Sequence, residues 1–268
     1  MKVKINGNEK VTCCKNLLQL KTMHCNSADN IVVILNGFQT SDNLQLKDGD
    51  EVVLIEKGKM PGRDELEAMI SARHTPHVYG KVKQARVAVA GLGGLGSNIA
   101  VALARTGVGM LHLVDYDVVE PSNLNRQQYK TKHLGMLKTE ALKMELEEIN
   151  PFIIITIDTV KVTESNVKQL FAQDEIVCEA FDNPDAKALL VNNLLENPQK
   201  KIVASSGMAG YESSNIIKTK RLMKNLYLCG DGKTDARVGR GLMAPRVSIC
   251  AGHQANMVLR LILGIEDV

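Results

Sequence analysis

The sequence has no tryptophan, and aromatic side chains make up only 3% of its 268 residues. Proteins that bind single-stranded nucleic acid stack the bases on such rings, so their scarcity argues against a nucleic-acid partner. The formal net charge of +3 is too small to attract a polyanion or an anionic lipid surface. We therefore expect no nucleic-acid partner and no membrane partner.

Long apolar runs are also missing. No stretch approaches the roughly 20 apolar residues that cross a bilayer, and the opening MKVKING has no apolar core of signal-peptide length. These absences predict a cytoplasmic protein. The cysteines form no CxxC pair, which favours reduced thiols over a disulfide framework. They are Cys13, Cys14, Cys25, Cys178, Cys229 and Cys250.

Residues 1–57 have the pattern of a small β-rich domain. Val3 and Ile5 alternate with polar residues before an Asn-Gly turn, which predicts a hairpin. A short helix at residues 17–20 and strands at 31–35 and 51–55 are expected to follow. This order, with the closing LKDGDEVVLI, resembles ThiS, the ubiquitin-like (β-grasp) sulfur carrier.

Such carriers end in a free Gly-Gly, whereas here the chain continues through Glu56 to Arg63. The resemblance therefore implies a ThiS-like domain without a reactive tail. We expect this domain never to be adenylated itself, and to dock, to stabilise a dimer or to regulate.

A linker at residues 58–62 leads to a second predicted domain at 63–268, where strands and helices alternate. Such alternation predicts an α/β fold with a doubly wound, mostly parallel, Rossmann-like sheet. The predicted strands are 86–90, 110–115, 153–157, 176–180 and 202–205. The predicted helices are 63–72, 94–105, 135–149, 164–171 and 183–196.

A glycine-rich loop, GLGGLGS, closes the first of these strands and opens a helix. Gly91, Gly93 and Gly96 permit a tight turn and a close approach of the backbone to phosphate. Asp115 ends the next strand, where a carboxylate can accept hydrogen bonds from ribose hydroxyls. The loop suits NAD as well as ATP.

The segment after Asp115, YDVVEPSNLNRQ, carries polar groups suited to a triphosphate. Asn123 can donate its amide hydrogens, and the planar guanidinium of Arg126 matches phosphate oxygens. Lys138 adds a point charge. Asp182 follows a buried strand, at the end where open α/β sheets bind ligands.

Together these motifs resemble the ThiF and MoeB branch of the ubiquitin-activating superfamily over residues 63–264. The resemblance implies a homodimer that adenylylates the C-terminal carboxylate of a ThiS-like sulfur carrier, in thiamine biosynthesis. It implies that Asp115 binds ribose, that Asn123, Arg126 and Lys138 contact phosphates, and that Asp182 assists Mg²⁺. The full ATP-binding set expected is Gly91, Gly93, Gly94, Gly96, Asp115, Ser122, Asn123, Leu124, Asn125, Arg126, Lys138, Asp182 and Asn183.

The resemblance also implies an arginine that reaches the phosphates across the dimer. We expect Arg73 in this catalytic role, with Arg63 as the alternative. No zinc is expected, since Cys229 lacks the CxxC partners that many relatives have. Relatives often carry a cysteine before a Met-Ala-Pro segment, where this chain has Arg237, so a thioester or persulfide-linked step is in doubt.

Other interpretations of these residues stay open. Arg126 and Lys138 could be solvated surface charges, and Asp182 could be a helix N-cap before Pro184. The whole chain could be a non-catalytic module that binds a carrier, or an NAD-dependent oxidoreductase.

Overall fold

The computed structural model describes residues 1–24 and 30–268, so Cys25 lies outside the described residues. The chain divides into two compact units, Met1–Gly80 and Lys81–Val268. This division lies beyond the linker expected at residues 58–62. The predicted domain limits themselves stay a prediction.

The first unit contains a mixed five-stranded sheet with the strand order β2-β1-β5-β3-β4. Strands β1 and β5 are parallel at its centre, and the two hairpins are antiparallel. Strand β4 was not predicted. The elements are β1 Lys2–Ile5, β2 Asn8–Val11, α1 Leu17–His24, β3 Ile31–Leu35, β4 Phe38–Thr40, β5 Glu51–Glu56 and α2 Arg63–Ile70. Helix α3, Val78–Gln84, follows.

Two helices pack against this sheet. Helix α1 packs its buried leucines on one face. Helix α2 lies against β5, and the side chain of Asn6 donates to the Glu65 carboxylate over 3.1 Å. Gly7 has a φ of +84°, and a Cβ there would lie 3.0 Å from the Cβ of Ala68. The segment after β5 is thus folded back onto its own sheet instead of extending as a tail.

The second unit contains a seven-stranded sheet with the order β11-β12-β10-β9-β6-β7-β8, in which only β11 is antiparallel. Helices α6 and α7 cover one face, and α4, α5 and α8 cover the other. The strands are β6 Arg86–Ala90, β7 Met110–Val114, β8 Ile154–Asp158, β9 Ile176–Glu179, β10 Lys201–Ser205, β11 Lys218–Met223 and β12 Leu226–Gly230. The helices are α4 Gly94–Thr106, α5 Lys138–Ile149, α6 Val167–Leu170, α7 Pro184–Leu195 and α8 Ala244–Ile262.

Residues 207–245, which are rich in glycine and polar side chains, do not form one continuous loop, because β11 and β12 extend the sheet within them. Strand β12 is mostly buried beside β10, whereas β11 is a largely exposed edge strand. Edge strands often carry lysine and arginine, which discourage pairing with other chains. The basic sequence KTKRLM therefore has the composition of a surface loop although it forms a strand.

A chain of polar groups runs through the α6 side of the sheet. His112, which is 2% exposed, pairs through Nδ1 with Asp174 (2.7 Å) and through Nε2 with Asp158 (2.9 Å). Arg86 donates to the other oxygen of Asp174 at 2.6 Å. Burial alone would lower the pKa of His112, but the bonds to the two carboxylates outweigh it and raise that pKa.

This raised pKa predicts that stability falls as the pH rises. A group whose pKa is higher in the folded state stabilises fully below its unfolded pKa, about 6.5 for histidine, and loses that contribution as the pH passes its folded pKa. Urea unfolding of the wild type and of Asp158→Asn, measured from about pH 6 upward, checks this. We expect the wild type to lose more stability over this range, and parallel curves would contradict the assignment.

Candidate active site

The glycine loop joins the end of β6 to the start of α4 and fits tightly against its neighbours. Gly91 has a φ of +89°, and a Cβ there would lie 2.8 Å from the carbonyl oxygen of Ala180. A Cβ at Gly96 would lie 1.7 Å from the carbonyl oxygen of Gly91. Gly93 precedes α4 without a side-chain cap, so the first N–H groups of the helix are available to an anion.

Asp115 braces this loop from the end of β7. Its buried carboxylate accepts the N–H of Leu92 at 2.6 Å and that of Asp117 at 2.8 Å. The remaining lone pairs leave acceptors for ribose hydroxyls, and the ribose-binding role of Asp115 stays a prediction. The hydroxyl of Tyr129 donates to the Leu92 carbonyl at 2.8 Å, a contact that the sequence did not reveal. Burial and the charges of Asp115 and Asp117 raise the pKa of Tyr129, which keeps this hydroxyl protonated.

Arg126 lies against the glycine loop. A Cβ at Gly94 would lie 3.5 Å from the Cδ of Arg126. The guanidinium donates to the Ser122 carbonyl at 3.0 Å and to the Asn125 side chain at 2.8 Å. Asn123 is buried, and its side-chain oxygen accepts the N–H of Glu120 at 3.1 Å. The structure thus brings SNLNR next to the start of α4.

Lys138 begins α5, with a side chain that is 8% exposed. Its ammonium pairs with the Asp117 carboxylate at 2.9 Å, and its N–H donates to the Asp117 carbonyl. Since the N–H of Asp117 bonds to Asp115, the lysine is held beside the glycine loop. The interpretation of Lys138 as a solvated surface charge is wrong.

Asp182 and Asn183 follow β9, at the carboxyl end of the sheet. The helix N-cap is Asn183, whose side chain accepts the N–H of Ala186 at 3.0 Å, so the alternative assignment of Asp182 as that cap is wrong. Asp182 is exposed, and its carboxylate bonds to no group in residues 1–24 or 30–268.

An ion pair that the sequence did not reveal lies at the same edge of the sheet. The Lys187 ammonium pairs with both oxygens of Glu179, at 2.9 and 2.8 Å, and the Glu179 side chain is 1% exposed. The ammonium also lies 3.2 Å from Oγ and 3.3 Å from O of Ser205. Glu179 accepts the N–H of Phe181 at 2.7 Å.

The segment between β12 and α8 is fixed by a second buried pair. Arg246 donates to Asp231 at 2.6 Å. In the same segment, the carbonyl of Leu242 accepts a hydrogen bond from the Asn125 side chain at 3.4 Å. Arg237 is exposed on this segment. The thiol of Cys229 is buried, and burial raises its pKa to about 11.

Arg73 and Arg63, the arginines proposed to act across a dimer, belong to the first unit. Arg73 is exposed, and its guanidinium donates to the side chain of Gln39 at 2.7 Å. A role in a dimer stays a prediction for both residues. All other predicted site residues lie in the second unit.

Residues 1–24 and 30–268 contain no cluster of three or more histidine, cysteine, aspartate or glutamate side chains able to hold a metal ion. None of the helices described is both long and apolar enough to cross a membrane.

Known proteins resemble the chain in both sequence and fold. The adenylyltransferase and sulfurtransferase UBA4 of Candida glabrata is 30% identical over 240 residues, which are 84% of this chain and 54% of UBA4. The adenylyltransferase and sulfurtransferase MOCS3 of Drosophila virilis is 32% identical over 201 residues, 70% of this chain and 43% of MOCS3. The chain thus spans about half the length of these relatives.

Among solved structures, the E. coli tRNA N6-threonylcarbamoyladenosine dehydratase TcdA in complex with ATP has the same fold. The TM-score is 0.69 at 20% identity, over 77% of this chain and 98% of TcdA. E. coli MccB with AMPCPP and MccA gives a TM-score of 0.57 at 21% identity, over 76% of this chain and 72% of MccB.

Family models separate the chain into two matched regions. The model of ThiS-like ubiquitin matches residues 1–58. The model of the ThiF family matches residues 68–268, which is well over half of the chain. The chain therefore belongs to the ThiF family and has a ThiS-like ubiquitin domain at its N-terminal end.

Proposed function

We propose that this protein is an ATP-dependent adenylyltransferase that activates the C-terminal carboxylate of a small ThiS-like sulfur carrier. The observation that carries the proposal is the position of Arg126 and Lys138 beside the uncapped start of α4. Two cations and a helix N-terminus suit a triphosphate, and Asp115 adds a ribose acceptor. The relatives named adenylyltransferase and sulfurtransferase support it.

In the proposed reaction, an oxygen of the carrier carboxylate forms a bond to the α-phosphorus of ATP. The bond from that phosphorus to the bridging oxygen breaks, and pyrophosphate leaves with the electron pair. Arg126, Lys138 and the N–H groups of α4 stabilise the negative charge on the phosphates. Asp115 and Asn123 hold the nucleotide in position, so that the reacting atoms approach correctly.

Mg²⁺ fits this site at Asp182. Magnesium prefers carboxylate oxygens together with substrate phosphates, and the Asp182 carboxylate is exposed at the carboxyl end of β9. When bound, the ion supplies positive charge to the phosphates. No zinc enters the proposal.

The carrier is a second protein in this proposal. Strand β5 continues by a peptide bond into Lys57, and α2 then folds over the sheet, so this ThiS-like unit presents no free carboxylate at that point. The unit then serves in docking, in dimer formation or in regulation. Thiamine biosynthesis as the pathway and a homodimer as the active form belong to the same proposal.

We expect ATP with Mg²⁺ to raise the melting temperature of the full chain, and NAD to leave it unchanged. A ligand that binds only the folded state stabilises it by about 2.7 kcal/mol at a hundred times its Kd. Thermal unfolding with each nucleotide at matched concentration measures this. An equal or larger shift with NAD would favour the oxidoreductase and contradict the proposal.

A non-catalytic carrier-binding module would also bind ATP, so catalysis needs its own test. A protein ending in Gly-Gly, copurified with the chain from its native host, serves as the carrier. Exchange of labelled pyrophosphate into ATP in its presence supports the enzyme, and its absence supports the module.

A further inference from the structure

The ion pair of Glu179 and Lys187 connects three segments at the nucleotide end of the sheet. Glu179 ends β9, Lys187 lies in the first turns of α7, and Ser205 ends β10. The Lys187 ammonium contacts both other residues at 2.8 to 3.3 Å. Gln254 of α8 donates to the Glu179 carbonyl at 3.0 Å, so the pair is also held from the opposite helical layer.

Glu179, one member of this pair, also bonds to the backbone of the residue that precedes Asp182. The Glu179 carboxylate accepts the N–H of Phe181, and that short contact turns the backbone immediately after β9. The turned residues pack on the glycine loop, since a Cβ at Gly91 would lie 2.8 Å from the Ala180 carbonyl and 2.9 Å from the Phe181 ring. Asp182 is the next residue.

We propose that Lys187 is a positioning residue for the nucleotide site, holding the segment 180–182 so that the Asp182 carboxylate faces the metal–triphosphate. This inference rests on the proposed function, because it assigns Asp182 to Mg²⁺. Lys187 itself touches neither metal nor nucleotide. It acts through Glu179, whose buried carboxylate needs a cation to keep its bond to Phe181.

The buried lysine Lys200 provides a control for the half-buried Lys187. Lys200 lies at the other end of β10 and donates to the carbonyls of Phe171 at 2.5 Å and Asp174 at 2.8 Å. Both lysines fix backbone at an end of the same strand, but Lys200 lies at the amino end. Removing the Lys200 ammonium is therefore expected to destabilise the same sheet at the end that is far from the nucleotide site.

The experiment compares Lys187→Met, Lys187→Arg and Lys200→Met in the full chain. We expect Lys187→Met to raise the ATP concentration that half-saturates the Mg²⁺-dependent thermal shift by roughly ten- to a hundredfold, as for groups that orient metal ligands. Lys187→Arg should recover most of this affinity, because it restores the cation. Lys200→Met should lower the melting temperature without changing ATP affinity.

Hydrogen exchange of the Phe181 amide gives a second measurement that does not depend on activity. The amide should exchange faster in Lys187→Met and at the wild-type rate in Lys200→Met. Unchanged ATP affinity in Lys187→Met, or an equal loss in Lys200→Met, would overturn the inference. If the wild type itself shows no shift with ATP and Mg²⁺, the proposed function fails instead, and the two failures are distinct.

Discussion

Replacing Arg126 or Asp182 with alanine is expected to lower carrier-dependent exchange of pyrophosphate into ATP by about a hundredfold or more. Arg126 packs against the glycine loop, and its partly buried guanidinium donates to Ser122 and Asn125. Its charge is thus oriented before the nucleotide binds. A preorganised charge of this kind contributes most where negative charge develops in the transition state.

The melting temperature of both variants should stay nearly unchanged. Asp182 is exposed and bonds to no group in the part of the chain that the structure describes, and exposed side chains usually change stability by less than about 0.5 kcal/mol. Arg126→Lys keeps the charge but loses the planar fork, so we expect only partial activity. Arg105→Ala, at the far end of α4, is the matched control and should keep full activity.

Exchange at the wild-type rate in Arg126→Ala would show that the phosphate contact is assigned to the wrong residue. A fall in exchange together with a large fall in melting temperature would point to a structural role. The Arg105→Ala variant separates both outcomes from a general effect of removing a surface charge near α4.

Much of this site could be predicted because its information is local in sequence. The glycines of GLGGLGS are required by contacts within the strand–loop–helix turn, such as that of Gly96 with the Gly91 carbonyl. Asp115 is predictable for the same reason, because it ends the adjacent strand and binds the loop.

The parts that were missed depend on contacts between distant segments. In the sequence, Lys187 has the pattern of an ordinary helix lysine, and only the fold brings it to Ser205. In the same way, only the fold brings the Tyr129 hydroxyl to the Leu92 carbonyl. Strand β11 was missed because a basic edge strand has the composition of a loop. The same limit applies to Arg73, whose proposed role depends on a second copy of the chain.

The largest loss of stability is expected from Arg246→Leu. Arg246 and Asp231 have side chains only 4% and 2% exposed, and their ion pair spans 2.6 Å. The guanidinium also donates to the carbonyls of Glu212 and Ser213 at 2.6 and 3.0 Å. Removing one partner of a buried pair leaves an uncompensated charge and costs about 3–5 kcal/mol.

For a unit of this size, such a loss corresponds to a fall in melting temperature of roughly 10 °C. Adding Asp231→Asn should recover part of it, because the buried charge disappears while an oxygen still accepts from Thr234. Arg260→Leu is the control, since Arg260 lies on the same helix and its solvent-accessible pair with Asp267, which follows that helix, is worth at most about 1 kcal/mol. Similar melting temperatures for Arg246→Leu and Arg260→Leu would contradict the argument. A double variant less stable than Arg246→Leu would show that the lost bonds to Glu212 and Ser213, and not the charge left on Asp231, cause the effect.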